Sequence, residues 1–163
     1  MPDAADGLVI RPSRVDDIPY VVELDGRITG LRKPDYWTDM FERYGQRPNR
    51  YFLIAEQSLA RPAGFIIGEV RAWEFGSPPS GWVFALGVDP GHRQMQIGTR
   101  LFRAICQCLR QSGVDTVRTM LARDDELNMA FFRSQGMMGG PFIQLEMAVN
   151  GSNDDGRPAG DLS

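Results

Sequence analysis

Apolar positions in this chain change period as they are followed from the N-terminus, and each change marks an element. Leu8-Val9-Ile10-Arg11 is short and apolar, is closed by Pro12, and reads as a first strand. Ser13-Arg14-Val15-Asp16 has the form of a capping box. It opens a helix with Ile18, Val21 and Val22 on one face that runs towards Gly26. Pro34 opens a second helical segment with Trp37, Met40, Phe41 and Tyr44 at helical spacing, stopped near Gly45 and Pro48. Three strands then follow without a helix between them: Tyr51 to Ala55, Ala63 to Phe75, and Trp82 to Val88. A turn at residues 59–62 and a Pro- and Gly-rich loop at 76–81 separate them. The third of these is apolar on both faces, as a central strand is.

Helical periodicity returns from about Gln96 to Ser112. Ile97, Leu101, Ile105 and Cys108 form one stripe, Phe102 and Leu109 widen it, and Gly113 is placed as a left-handed C-cap. The pattern predicts a fifth strand over Thr116 to Leu121, a fourth helix from a cap at Asp124 or Asp125 to Gly136, and a last strand over Phe142 to Val149. The order β-α-α-β-β-β-α-β-α-β predicts an α/β (α+β) domain. Its sheet is mixed and mostly antiparallel, of about six to seven strands, with helices on both faces. A single domain over residues 8–149 is expected, with flexible tails at 1–7 and 150–163.

Composition excludes more than it assigns. Over 163 residues the net charge is −3 and the arginines are spread along the chain, so no basic surface points to nucleic acid. No apolar run has the length of a membrane span, and the N-terminus lacks the basic and apolar regions of a signal peptide. The expected location is therefore cytoplasmic, and Asn150-Gly151-Ser152 is a chance sequon. Cys106 and Cys108, two apart on a predicted helix, point to different sides and cannot bridge, and no second pair completes a zinc site.

Chemistry concentrates in the segment from Leu86 to Leu101. It reads as a buried strand, a short polar loop and a helix whose first turn starts inside the loop. Such a junction presents unpaired backbone N–H groups and the positive end of a helix dipole, which suits a phosphate or pyrophosphate. A Gly-x-Gly-x-x-Gly after the first strand, an acidic ribose partner and a P-loop are all missing, so a dinucleotide-dependent oxidoreductase is poorly supported.

The motifs in this segment have a further meaning. Leu86-x-Val88, Pro90, Arg93, Ile97, Gly98 and Leu101 stand in register with one another, and Asn128 is followed by Phe131-Phe132-Arg133-Ser134-Gln135-Gly136-Met137. With Ile10-Arg11-Pro12 and Asp16-Asp17-Ile18 at the start, the chain resembles the acetyl-CoA-binding core of the GNAT superfamily of N-acyltransferases over roughly residues 8–149. The resemblance implies that the fourth and fifth strands splay apart and that the pantetheine arm lies between them like an added strand, on the backbone of Leu86 and Val88. Arg93, Gln94, Gln96, Ile97, Gly98 and Thr99 would surround the pyrophosphate, Asn128 would reach the pantetheine, and Phe131 and Phe132 would wall the cleft. It also implies acetyl-CoA as cosubstrate, no metal, and a small-molecule or peptide amine as acceptor, without nucleic acid or membrane; a homodimer is left open.

Some positions depart from the family's pattern. Gln94 and Gln96 stand where two of three loop glycines are usual. A helical φ at Gln96 costs nothing, whereas a positive φ would cost roughly 1 kcal/mol or more. Phe132 stands where a Tyr often protonates the leaving thiolate, and Trp82 about where a strand Glu often serves as base. The remaining candidates for proton transfer are Glu69 and Glu74, both expected on the third strand, with Tyr36 or Tyr51 from the other side. His92 is read as a packing or capping residue, because its loop faces the phosphates. Trp73, Phe75, Trp82 and Phe84 read as sheet core, or, if exposed, as the lining of a partly apolar acceptor pocket. The expected function is an acyl-CoA-dependent N-acyltransferase that moves acetyl from acetyl-CoA to a primary amine, with a backbone N–H near Leu86 or Gly87 as oxyanion donor. The alternative is a catalytically weak or inactive CoA-binding module of the same fold.

Overall fold

The computed structural model describes residues 7–58 and 61–150. Its elements are β1 (Val9–Pro12), α1 (Ile18–Thr29), α2 (Pro34–Tyr44), β2 (Arg50–Gln57), β3 (Arg61–Arg71), β4 (Ser80–Val88), α3 (Ile97–Gln111), β5 (Val117–Arg118) and α4 (Glu126–Ser134). The chain divides into two compact units, one up to Glu126 and one from Leu127. Apart from Gly7 and Asn150, the expected tails lie outside the described residues.

The first unit holds a sheet of order β1-β2-β3-β4-β5. Its first four strands are antiparallel and β5 is parallel to β4. Strand β3 shows how the faces are assigned. A Cβ on Gly64 would meet Ile97 and Leu101, and one on Gly68 would meet Ile105, so the even positions face α3. Phe65 and Ile67 alternate with them and join Ile18, Val21, Val22, Leu24, Trp37 and Met40 of α1 and α2, with Phe52 and Ile54 of β2, in one buried cluster. The mixed, mostly antiparallel sheet with helices on both faces is thus the one that forms.

Glycine is required where α3 lies on the sheet. An added Cβ at Gly68 would stand 2.9 Å from the Ile105 side chain and 2.7 Å from the carbonyl oxygen of Trp82, and one at Gly81 2.7 Å from Leu109. The apolar stripe of α3 therefore sits directly on backbone. Ile97, Leu101, Phe102, Ile105 and Leu109 are all buried, while Cys108 is only half-buried. The helix ends as expected at Gly113, whose φ is +91°, with the paired bonds of a Schellman motif from Gly113 to Arg110 and from Val114 to Leu109.

Several boundaries differ from the sequence reading, each for a local reason. The capping carboxylate at the start of the first helix belongs to Asp17, which accepts from the Arg14 amide at 2.7 Å. A short 3-10 turn over Val15–Asp17 therefore precedes α1. The Ser13 hydroxyl is buried with no hydrogen-bond partner among the described residues. Helix α1 runs through Gly26 to Thr29 and is closed by Gly30 at φ +79°. Strand β3 stops at Arg71, and Glu74 and Phe75 fall in a 3-10 turn, not on the strand. Strand β5 is reduced to Val117–Arg118. There the Thr119 hydroxyl donates to the Val83 carbonyl at 2.7 Å in place of a ladder bond, and the chain turns at Ala122–Asp125.

The expected count of six to seven strands is corrected to five among the described residues. Residues 142–149 are irregular and exposed, although their alternation reads as a strand. Periodicity reports which side chains share a face; a strand also needs a neighbour for its backbone groups. In the second unit α4 carries Asn128 and Phe132 four residues apart, on one face. It closes in a Schellman motif at Gly136, with φ +98° and bonds from Gly136 to Arg133 and from Met137 to Phe132.

Candidate active site

Strand β4 carries the site because its two edges are treated differently. On one side it pairs with β3 from Ser80 to Val88, interrupted at Phe84 alone. On the other it pairs with β5 only at Gly81 and Trp82. From Phe84 to Val88 no described strand pairs with that outer edge. A row of main-chain groups is therefore presented where an extended ligand can add as a strand. Leu86 and Val88 lie on this stretch.

A β-bulge sits at the point of divergence. Gly68 faces Val83 and Ile67 faces Ala85, so Phe84 has no cross-strand partner. The extra residue places Phe84 and Ala85 both on the α1/α2 face. Phe84 meets Tyr44 edge to face with ring centroids 5.0 Å apart, and Ala85 packs on the buried cluster. One exposed ring is thus set at the mouth of the open edge.

Beyond Val88 the chain makes a 3-10 turn over Pro90–Met95 and enters α3 through Gln96. Asp89 organises this turn. Its Oδ1 accepts from the Gly91 amide at 2.9 Å, and its Oδ2 accepts from Arg27 of α1 at 3.1 Å. The Asp89 amide donates to the Ala63 carbonyl at 2.8 Å, fixing the loop to β3. His92 packs beside it, with Nδ1 buried 3.5 Å from Asp89 Oδ2 and without a hydrogen-bond partner among the described residues.

Gln96 is left-handed, at φ +53° and ψ +33°, and no side chain of it caps α3. The position where the family pattern has glycine therefore needs the backbone that glycine supplies, and the strained alternative anticipated from the sequence is the one observed. Gln94 lies on the backbone path of the 3-10 turn, in which His92 has non-helical angles. Ile97 is fully buried, so its side chain belongs to the core. The amides of Ile97, Gly98 and Thr99 form the first turn of α3, the positive end of the helix. Arg93 lies on the backbone path of the same turn.

The α1/α2 face beside the bulge carries the titratable groups. Glu69 lies cross-strand from Arg50 on one side and Trp82 on the other. Its carboxylate accepts from Arg71 Nε at 3.0 Å, and Arg71 stacks on the Trp82 ring with its guanidinium carbon 4.7 Å from the centroid. Glu69 is 17% exposed. Glu74, 58% exposed on its turn, stands 4.0 Å from the same Arg71 nitrogen. Tyr44 completes the group: burial first, and the Glu69 carboxylate second, push its hydroxyl above the ordinary tyrosine range, against the pull of Arg50, Arg71 and Arg43. Sequence reasoning passed over Tyr44 and Arg71. The signal was there, since Glu69-x-Arg71 on a strand puts both side chains on one face.

The aromatic cluster is not sheet core. Trp82 is half-buried, Phe84 is 38% exposed, Trp73 is 68% exposed and Phe75 is fully exposed. The bulge and the turn after β3 carry these rings out of the sheet. Tyr51 faces α3, where its hydroxyl is hydrogen-bonded to Ser112, and so lies away from this group. Tyr36 is exposed on α2 and meets Trp37 and Lys33. The structure thus brings Leu86, Val88 and the segment Arg93 to Thr99 to one end of β4, and Glu69 to the adjacent face. Asn128 and Phe132 lie on α4 in the second unit.

Residues 18–137 match the model of the Acetyltransferase (GNAT) family. The chain belongs to this family. A curated relative, the mycothiol acetyltransferase of Kocuria rhizophila, is 33% identical over 102 residues, covering 60% of this chain and 34% of that one. The chain thus spans about a third of the curated relative's length. Among solved structures, the aminoglycoside antibiotic 6'-N-acetyltransferase AAC(6')-Ih of Acinetobacter baumannii shares the fold at TM-score 0.75 and 15% identity, over 88% of this chain and 99% of that one. The aminoglycoside N-acetyltransferase AAC(6')-Iy in complex with CoA does so at TM-score 0.75 and 15% identity, over 87% and 95%. Among the described residues no helix is long and apolar enough to cross a membrane, and no group of three or more His, Cys, Asp or Glu could hold a metal ion.

Proposed function

We propose that this GNAT protein transfers acetyl from acetyl-CoA to a primary amine, with the thioester lying along the outer edge of β4. The observation that carries the reading is the outer edge of β4 from Phe84 to Val88, which no described strand pairs, running into the N-terminal turn of α3. One element offers strand-like hydrogen bonds for a pantetheine arm and the next offers amides for a diphosphate. Leu86, Val88, Arg93, Gln94, Gln96, Ile97, Gly98 and Thr99 are the proposed contacts along this path; Asn128 and Phe132, on α4 of the second unit, are proposed cofactor-binding residues by the family resemblance alone. The amine nitrogen attacks the thioester carbonyl, a backbone N–H near Leu86 or Gly87 stabilises the oxyanion, and the C–S bond breaks as the amide forms.

Glu69 is the proposed base. It stands one strand away from Trp82, the position that often holds the family's carboxylate, and Arg71 fixes its orientation. It takes the proton of the attacking amine, directly or through water. Glu74 is the lesser candidate, since its turn leaves it exposed. Phe132 cannot protonate the leaving group. A thiol titrates near pH ~8.5, so the thiolate leaves without a general acid and is protonated by solvent.

Thiol release from acetyl-CoA over a panel of amines tests this. The wild type releases CoA with at least one amine, and Glu69→Gln lowers kcat by roughly 10²-fold while acetyl-CoA still raises Tm. A Tm increase with no thiol released on any amine would identify the protein as a CoA-binding module instead.

A further inference from the structure

The acceptor face is built for an anion beside an apolar body. Its carboxylates are already engaged: Glu69 accepts from Arg71 Nε at 3.0 Å, Glu74 stands 4.0 Å from the same nitrogen, and Asp39 of α2 pairs with Arg43 at 3.0 Å. Its guanidiniums are not exhausted. Arg71 meets both glutamates through Nε alone, which leaves the terminal amino groups of the fork. Arg50 lies cross-strand from Glu69, donates Nη1 to the Arg43 carbonyl at 3.2 Å, and sits over the Tyr44 ring at 5.6 Å. No carboxylate of the described residues pairs with Arg50. Arg50 and Arg71 occupy diagonal positions on neighbouring strands of one face, within reach of a single small ligand. Tyr44, Phe84 and Trp82 supply ring surface around them.

A polycationic amino sugar needs unpaired carboxylates at its acceptor site, and this face offers spare guanidinium donors. We propose that the acceptor is an amino-acid-like primary amine, bearing a carboxylate held by Arg50 and Arg71 and an apolar side chain covered by Tyr44, Phe84 and Trp82. This rests on the acetyl-CoA-dependent transfer proposed above. Arg–carboxylate recognition supplies the selectivity, because an acceptor without the anion leaves the remaining donors of both guanidiniums to solvent.

The test pairs each of a set of free amino acids (phenylalanine, leucine and methionine) with its C-terminal amide, and adds kanamycin as a polycation. Thiol release is followed with the full chain. We expect kcat/KM for at least one free acid to exceed that of its amide by tenfold or more, and kanamycin to be slower than both. Arg50→Gln should bring the acid-to-amide ratio towards one, chiefly by raising KM for the acid, and Arg50→Lys should restore part of it. A Tm increase of each variant with acetyl-CoA shows that it remains folded and loaded. Equal rates for acid and amide, or kanamycin as the best acceptor, overturn the inference and leave the transferase reading standing. No thiol release on any amine removes both.

Discussion

Replacing Gln96 by glycine should stabilise this protein. Gln96 holds φ +53° and ψ +33°, a conformation that costs an L-residue roughly 1–2 kcal/mol. Its side chain is exposed and provides no cap for α3. Gln96→Gly therefore relieves that strain and loses little else. Against this stands the greater freedom of glycine in the unfolded chain, about 0.5–1 kcal/mol. The net gain is about 0.5–1 kcal/mol, which for a chain of this length raises Tm by roughly 1–4 °C. Urea unfolding with an unchanged m-value gives this number. A Gln96→Gly protein less stable than wild type would show that the left-handed backbone at this position carries no such strain.

Three further outcomes follow from the packing and the charges. Gly68→Ala puts a methyl group 2.7 Å from the Trp82 carbonyl oxygen and 2.9 Å from Ile105, and should cost about 1–3 kcal/mol in urea unfolding. Burial alone would raise Asp17, but the bidentate Arg11 pair at 2.7 and 2.8 Å and the Arg14 amide hold its carboxyl below the usual carboxylate range. Because the folded-state value is depressed, its contribution is complete above the unfolded pKa near ~3.9 and is lost as pH falls through the folded value; Arg11→Ala should cost about 3 kcal/mol at pH 7 and flatten the acid limb of the stability curve. Burial pushes the thiols of Cys106 and Cys108 up, against a smaller opposing pull from Arg110 on Cys106, so at pH 8 both should react with a thiol-modifying disulfide more slowly than a free cysteine and speed up on unfolding.

Much of this fold is legible in the residues because the elements that form it bury one face. The stripe on α3, the caps at Gly113 and Gly136, and the apolar central strand each state their surroundings through period and turn chemistry. The final strand does not, since alternation over residues 142–149 shows a shared face but not a backbone partner. Where β4 and β5 part, the Thr119 hydroxyl donates to the Val83 carbonyl, a bond that no periodicity encodes. The site follows the same division. The loop from Asp89 to Thr99 is readable from its motif, and its departure at Gln96 turned out to matter through a backbone angle. The proposed acceptor face is assembled across α2, β2, β3 and β4 by register and a bulge, so Tyr44 and Arg50 become neighbours of Glu69 only once the fold is known, whereas Arg71 is legible two residues along the same strand.

The central claim is that acetyl-CoA lies on the edge of β4 with its diphosphate at the start of α3. Titrating acetyl-CoA into the isotope-labelled chain and following backbone amides reads it most directly. Saturable one-to-one shifts should concentrate at Leu86, Val88, Ile97, Gly98 and Thr99, with Cys108 and the C-terminal turn of α3 unmoved. Shifts confined to other surfaces, or none at millimolar acetyl-CoA, would contradict the account.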